Sequence, residues 1–388
     1  MTRNSWKKIS DIFVSFRGLS IVGISDISSS TISSVFWLYM ATILGASQYG
    51  QISYLLAIAG MSSTLASLGS QNTIVVYTAK NIPIQSSLFF LIIVSGCVAS
   101  AILFFIFGNN AVSIYVIAVI ISGLAISEIL GRKQYEIYAK YLITQKILMV
   151  GLALSLYHWI GINGVIIGIG ISFLIYVIRI YKGFKTTKID FSLIKSHRGF
   201  MSNVYVSDIF SALNGSIDRI VITPILGFVA LGNYQLGIQF LAITYVLPNI
   251  ISKYIMPDDA SGISNVKIKK LSILISVILS TLGIILSPMV VPVLFPQYGH
   301  AVQVIQITSL AVVPHTISAI YASKLLGTEN TRILLFSSVI NFVALLSALL
   351  TIGQIFGING MALSYVISVV ATYVFFYVAT RTKKIQLF

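Results

Sequence analysis

Residues 25–50 read SDISSSTISSVFWLYMATILGASQYG, and residues 207–232 read SDIFSALNGSIDRIVITPILGFVALG. Aligned without a gap at an offset of 182 (207 − 25), Ser25, Asp26, Ile27, Ser29, Ser34, Ile43, Leu44, Gly45 and Gly50 recur. A second correspondence comes later. GINGV at 161 returns as GINGM at 357, an offset of 196 (357 − 161), and ILG at 129 returns as LLG at 325 with the same offset. The chain reads as an internal repeat whose second copy carries 14 extra residues (196 − 182) between its second and fourth apolar segments. The charged stretch DDASGISNVKIKK (258–270) is the expected place for them.

The repeated segments are apolar, and so is nearly everything around them. Of 388 residues, 57% are hydrophobic and 9% charged, with a mean hydropathy of +0.95. A soluble domain is about 45–50% apolar and about 25% charged. The composition therefore specifies an all-α polytopic membrane protein and leaves no room for a large soluble domain. At about 20 residues per crossing, spans are expected at 20–44, 50–72, 86–107, 111–131, 141–159, 161–181, 201–226, 233–255, 271–295, 301–321, 333–354 and 358–380. The basic N-terminal stretch lacks a small-residue cleavage site after a short apolar core and reads as a retained segment.

The basic residues alternate from one connection to the next. Twenty-four of the 25 Lys and Arg fall at or near one side: at the N-terminus, in or beside the even-numbered connections, or at the C-terminus. The odd connections (GASQYG, GNNA, WIGING, GFVALGN, PQYGH, IFGING) hold none. Positive charge is retained on the cytoplasmic side, so both termini are expected there. Juxtamembrane Lys and Arg also account for the net charge of +15, and nucleic acid is not an expected partner. The single cysteine, Cys97, has no partner within the chain, the four histidines are scattered, and no metal-ligand spacing or cofactor motif occurs.

Six spans per repeat give both copies the same orientation, a parallel repeat about an axis along the membrane normal. The expected organisation is a cytoplasmic segment 1–19, an N-lobe 20–184, a linker 185–200, a C-lobe 201–381 and a tail 382–388. Such lobes facing each other across a cleft suit a transporter with its binding site near the midplane.

This architecture resembles the multidrug/oligosaccharidyl-lipid/polysaccharide exporter (MOP) superfamily, which includes the MATE transporters. IDRIVITPILGFVALGNYQLGIQF (217–240) is similar to the Asp-Arg, LG…LG.Y pattern of its polysaccharide-exporting branch. Size, basic charge and short loops are similar to the O-unit flippases of the Wzx family. The resemblance implies translocation of an undecaprenyl-diphosphate-linked oligosaccharide, such as an O-antigen repeat unit of lipopolysaccharide, from the cytoplasmic to the periplasmic face of the bacterial inner membrane. It also implies alternating access, with or without coupling to protons or another ion. By resemblance alone, partners extend to a polysaccharide polymerase and a chain-length regulator. A monomer is expected, since both halves of the pseudo-dimer lie in one chain.

The candidate site residues are the charges at membrane depth, which cost about 3 kcal/mol each unless they face a cavity or a partner. Asp218 and Arg219 lie in the seventh span, far from its basic end. Adjacent helical side chains diverge, so Arg219 is available to a third group. Its planar fork suits a phosphate. The substrate-binding reading places Arg219, with Asp218 and Asn214, on a hydrated cavity. The alternative is an interhelical ion pair, for example with Asp26. Asp26 and Asp208 occupy equivalent places in the repeat and are candidates for proton coupling, or else for helix–helix hydrogen bonds. Lys146 either adds cavity charge or snorkels to the surface. Pro224, beside the Asp-Arg pair, is a candidate hinge. Glu128 is expected to pair with Arg132 one turn on, and Arg179 to snorkel.

Two rival functions remain. A MATE-like drug or small-molecule antiporter would want an acidic cavity, whereas here the bias is basic. A membrane enzyme of polysaccharide synthesis would want a sizeable outer loop or an acidic constellation. PDDA at 257–260 is the sole exposed pair of adjacent acids and lacks support, so a non-enzyme is expected.

Overall fold

A computed structural model describes residues 3–260, 265–327 and 331–382. The expected tail beyond Thr382 and the tip of the 258–270 connection lie outside the described residues. The described chain is all-helical, with no strand. In lipid the backbone must satisfy its own hydrogen bonds, and a helix does so within one segment.

The elements are α1 (Arg3–Ser67), α2 (Ser70–Ala79), α3 (Gln85–Phe107), α4 (Asn110–Gly131), α5 (Tyr135–Ile160) and α6 (Ile162–Ser172). A 3-10 turn (Phe173–Tyr176) leads into α7 (Val177–Thr186). There follow α8 (Phe191–Ala260), α9 (Val266–Leu294), α10 (Ala301–Ser309), α11 (Val312–Gly327), α12 (Thr331–Leu350) and α13 (Ile352–Thr382). Nine helices among the described residues are long and apolar enough to cross a membrane, and the bent pair α10–α11 makes ten. Two of these, Ser20–Ser67 and Phe191–Val246, have 48 and 56 residues. At 1.5 Å per residue each far exceeds a hydrocarbon core of about 30 Å. Each is also broken by a non-helical glycine, Gly45 and Gly227. Divided there, they bring the count to the twelve spans expected, and the chain is a multi-pass membrane protein.

Those glycines correct the expectation that GASQYG and GFVALGN are loops. Gly45 has φ 67°, ψ 172°, and Gly227 has φ 80°, ψ 179°, a region open essentially to glycine alone. One residue redirects the chain and helix resumes at once on the far side. Their numbers differ by the repeat offset of 182. The later reversals match in the same way. Gly161 (φ 65°, ψ −141°) and Gly357 (φ 57°, ψ −137°) differ by 196.

The helix bounds also move the extra residues. α9 starts at Val266 and α3 at Gln85, 181 apart (266 − 85) against the repeat offset of 182, so no net insertion precedes α9. The additional length lies instead in α9, 29 residues against 23 in α3. It continues in the connection 295–300, against 108–109, and in the bent pair 301–327, against 110–131.

By packing, the chain forms two compact units. One is Met1–Phe36 with Ile58–Ile209, the other Trp37–Ala57 with Phe210–Phe388. In the first unit, α3 and α4 pack together with buried Ile120 of α4 against Gly96 of α3. They are clasped by reciprocal bonds from Ser100 Oγ to Ser113 O (2.9 Å) and from Ser113 Oγ to Ser100 O (3.0 Å). The second unit repeats the clasp where Ser280 Oγ donates to Ser309 O at 2.7 Å. Its core joins Ile222, Leu231 and Tyr234 of α8 to Val304, Leu345, Leu349 and Met361.

Small residues set the closest approaches, as in other membrane helix pairs. Within the second unit, a Cβ on Gly50 would lie 2.0 Å from Phe228 O, and one on Gly232 would lie 1.8 Å from Ala46 O. Positions 46 and 50 correspond to 228 and 232 in the repeat, so the contact is reciprocal.

Candidate functional site

The polar groups of α8 beyond residue 210 form a two-sided feature in the second unit. Asn214 and Asp218 are one turn apart. Asn214 Nδ2 donates to Ser338 O of α12 at 3.1 Å, while its Oδ1 is buried without a partner. Asp218 is buried. Its Oδ1 accepts the backbone N–H of Arg219 at 2.8 Å, and its Oδ2 accepts the Tyr234 hydroxyl at 3.0 Å. Asp218 therefore faces inward and has its own donors.

Arg219 differs. Its Nη2 donates to Gly215 O of its own helix at 3.0 Å. Its Nε lies 4.0 Å from Asp218 Oδ1, beyond hydrogen-bond reach, and the side chain is 26% exposed. Nε has no hydrogen-bond partner. The pair is formally neutral, but the carboxylate is turned into the protein and the guanidinium is left under-committed. An unmet charged donor is expensive, and an oxyanion would satisfy it.

The same unit holds a second polar group that the sequence does not signal. Tyr365 OH donates to Tyr245 OH at 3.4 Å, and the Tyr245 ring stacks on His315 with centroids 3.9 Å apart. His315 Nε2 is buried without a partner. The sequence singles out none of these tyrosines, and His315 is one of its four scattered histidines. Tyr234 meets Asp218 from sixteen residues away, across the Gly227 break, so helical periodicity could not signal the pair. Phenylalanine at 234 would strip Asp218 of its side-chain donor. A loss of about 1 kcal/mol or more is expected, read as a lower melting temperature in detergent.

The proline expected as a hinge does not coincide with the break. The non-helical backbone within α8 is at Gly227, three residues beyond Pro224.

The first unit holds the other candidates. Asp26 Oδ1 accepts the Tyr138 hydroxyl of α5 at 2.6 Å. Asp208 Oδ1 accepts Asn72 Nδ2 of α2 at 3.4 Å. Each of the two equivalent carboxylates is thus tied to a different helix, and Asp26 has Tyr138 where an ion pair with Arg219 was one reading. Lys146 is half-buried, eleven residues past the start of α5 at Tyr135 (146 − 135). Glu128 bonds Arg132 at 2.5 Å, as the spacing suggests, and it also bonds Arg179 at 2.5 Å. Arg179 further donates to Gln134 Oε1. It does not snorkel: a buried carboxylate 51 residues away outcompetes the surface. Among the described residues, no three His, Cys, Asp or Glu side chains group as a metal site would require.

No family model matches this sequence, and no curated protein matches it. Solved structures do match by shape. The lipid II flippase MurJ in an inward closed conformation aligns with a TM-score of 0.76 at 14% identity, covering 93% of this chain and 87% of that one. An inward-facing multidrug resistance MATE transporter of the MOP superfamily aligns with a TM-score of 0.69 at 11% identity, covering 93% and 95%. A MOP transporter from Pyrococcus furiosus, described as having a binding pocket of reversed polarity, aligns with a TM-score of 0.61 at 12% identity, covering 95% and 96%. The chain has the fold shared by MurJ and the MATE transporters.

Proposed function

We propose that the chain is a lipid-linked oligosaccharide flippase. Its cargo is an undecaprenyl-diphosphate-linked repeat unit, carried from the cytoplasmic to the periplasmic face of the inner membrane by alternating access. The observation that carries this reading is Arg219: a guanidinium deep in a span, with an unmet Nε and a partly exposed fork, suited to a diphosphate oxygen. The fold supports it, since MurJ, which has that fold, is a lipid II flippase. So does the charge count, which puts every Lys and Arg but Arg219 toward one side.

In this reading the lobes 20–184 and 201–381 move against each other, with both termini cytoplasmic. Asp218 and Asn214 orient Arg219, and Lys146 receives the diphosphate on entry. Asp26 and Asp208 couple the cycle to protons by exchanging their Tyr138 and Asn72 bonds for a proton. A drug antiporter on the same fold would need a cation-seeking cavity, which an under-committed arginine opposes.

The experiment follows lipid-linked oligosaccharide in source cells lacking the chain. Complete units should accumulate on the cytoplasmic face, and the wild-type chain should relieve this. Normal periplasmic display without the chain would sink the reading and make the drug antiporter the next to test.

A further inference from the structure

At the basic end of the first unit lies a pocket of about 550 Å3. Its lining includes Thr78, Asn81, Gln85, Arg132, Lys133 and Thr186, and no acidic side chain. All of these sit in the last turn of an apolar helix, the first residue of the next, or the connection between them. The pocket therefore opens at the membrane–water boundary, apart from the Arg219 region.

Its charge is fixed by construction. Glu128 is buried and is shared by Arg132 and Arg179. One carboxylate neutralises one of two guanidiniums, and with Lys133 the cluster carries two net positive charges. Arg132 is held in place, its Nε on Glu128 and its Nη2 on Thr186 Oγ1 at 3.1 Å. A guanidinium has five N–H donors, so the fork keeps donors to spare.

Lys133 is the informative residue. It has φ +56° and closes α4. Lys133 N donates to Leu130 O at 2.9 Å and Gln134 N to Ile129 O at 3.0 Å. This is the Schellman pattern, in which glycine normally takes the left-handed position. Asn81 (φ +59°) closes α2 in the same way, over the same pocket. Asparagine tolerates that conformation. Lysine has no local reason to adopt it, and its side chain is thereby placed at the pocket. Below, Gln85 is 4% exposed. Its Nε2 donates to Thr78 Oγ1 at 2.9 Å, while its Oε1 is buried with no donor. The pocket thus offers two cations to an anion and one unmet acceptor to a hydroxyl.

We infer that this pocket binds a phosphate-bearing anion that also carries a hydroxyl, and that its source is the glycerol-phosphate headgroup of an anionic membrane lipid. Basic pockets at helix ends facing a leaflet are suited to such headgroups. The inference does not depend on what the chain transports.

The test uses the full chain in phosphatidylcholine nanodiscs, with and without phosphatidylglycerol. Melting temperature and lipid retention by native mass spectrometry are read for wild type and Lys133→Gly, with Lys188→Ala on the exposed linker as control. Glycine removes the cation and relieves the backbone. Lys133→Gly should therefore melt higher than wild type in neutral lipid, yet retain phosphatidylglycerol about tenfold less well, the loss of one charge-assisted bond. Equal retention by Lys133→Gly and wild type would overturn the site. So would a wild-type melting temperature raised by neither phosphatidylglycerol nor soluble inorganic phosphate or glycerol 3-phosphate. If the soluble anions give the whole stabilisation and phosphatidylglycerol adds none, the anion site stands and its lipid source is overturned.

Discussion

Arg219→Ala is expected to cut transport of the lipid-linked unit by about a hundredfold or more, equivalent to about 2.7 kcal/mol, while the protein stays in the membrane at wild-type abundance. The second half of that expectation comes from the bonding. The guanidinium's bond within hydrogen-bonding distance is to a carbonyl of its own helix, Gly215 O. Asp218 loses little, because it is held by the Tyr234 hydroxyl and by the backbone N–H of residue 219, which alanine keeps. Lysine should restore the charge but not the two-pronged geometry, leaving transport about tenfold down. The measurement is surface display of the glycan beside immunoblotted membrane protein. Loss of display with loss of protein would point to a structural arginine. Full display with alanine would remove Arg219 from the binding role.

Gly232→Ala is expected to be the most damaging small substitution. A β-carbon there would sit 1.8 Å from Ala46 O and 2.7 Å from Ala46 C. Both contacts are backbone, so no side chain can swing away. The two segments must move apart, at a cost of about 3 kcal/mol or more. Gly50→Ala should behave alike, since its β-carbon would meet Phe228 O at 2.0 Å. Gly23→Ala is the control, with an ordinary φ and nothing within 4 Å of its β-carbon. Size-exclusion profiles after graded heating would rank the three. A Gly232→Ala protein as heat-resistant as Gly23→Ala would show that the approach is looser than described.

Much of this was readable in the sequence. Apolar runs of about 20 residues can do little but cross lipid, and the alternation of Lys and Arg numbered the crossings. The repeat was visible because its glycines do a backbone job that no other residue does. What escaped has a physical cause in each case. Gly45 and Gly227 open short glycine-bounded stretches that look like loops, and nothing in composition separates a short loop from a one-residue reversal. The stretch 258–270 looked inserted because it is charged, yet helix length at α9 absorbed the difference. The second arginine on Glu128, 51 residues away, and the Tyr365–Tyr245 bond, 120 residues apart, lie where no helical period reaches. The deep charges themselves were legible as types. Their sidedness was not: Asp218 committed inward and Arg219 left open is a property of rotamers and neighbours.

The reciprocal approach at Gly50 and Gly232 has a consequence for how the chain is organised. When position 46 of one segment meets position 50 of the other, and the reverse, the contact has the isologous form of a twofold dimer. A chain made of the first repeat alone would carry both halves of that contact and be complementary to its own copy. Here that interface is internal to one polypeptide, so its two sides need not be identical. ASQYG and FVALG share only the glycine, the position where a side chain would strike backbone. The other four differ, and one side has Tyr49 where the other has Leu231; the Tyr49 ring packs edge-on against Tyr298. Within one chain, a joint of symmetric form has two sides that can carry different work.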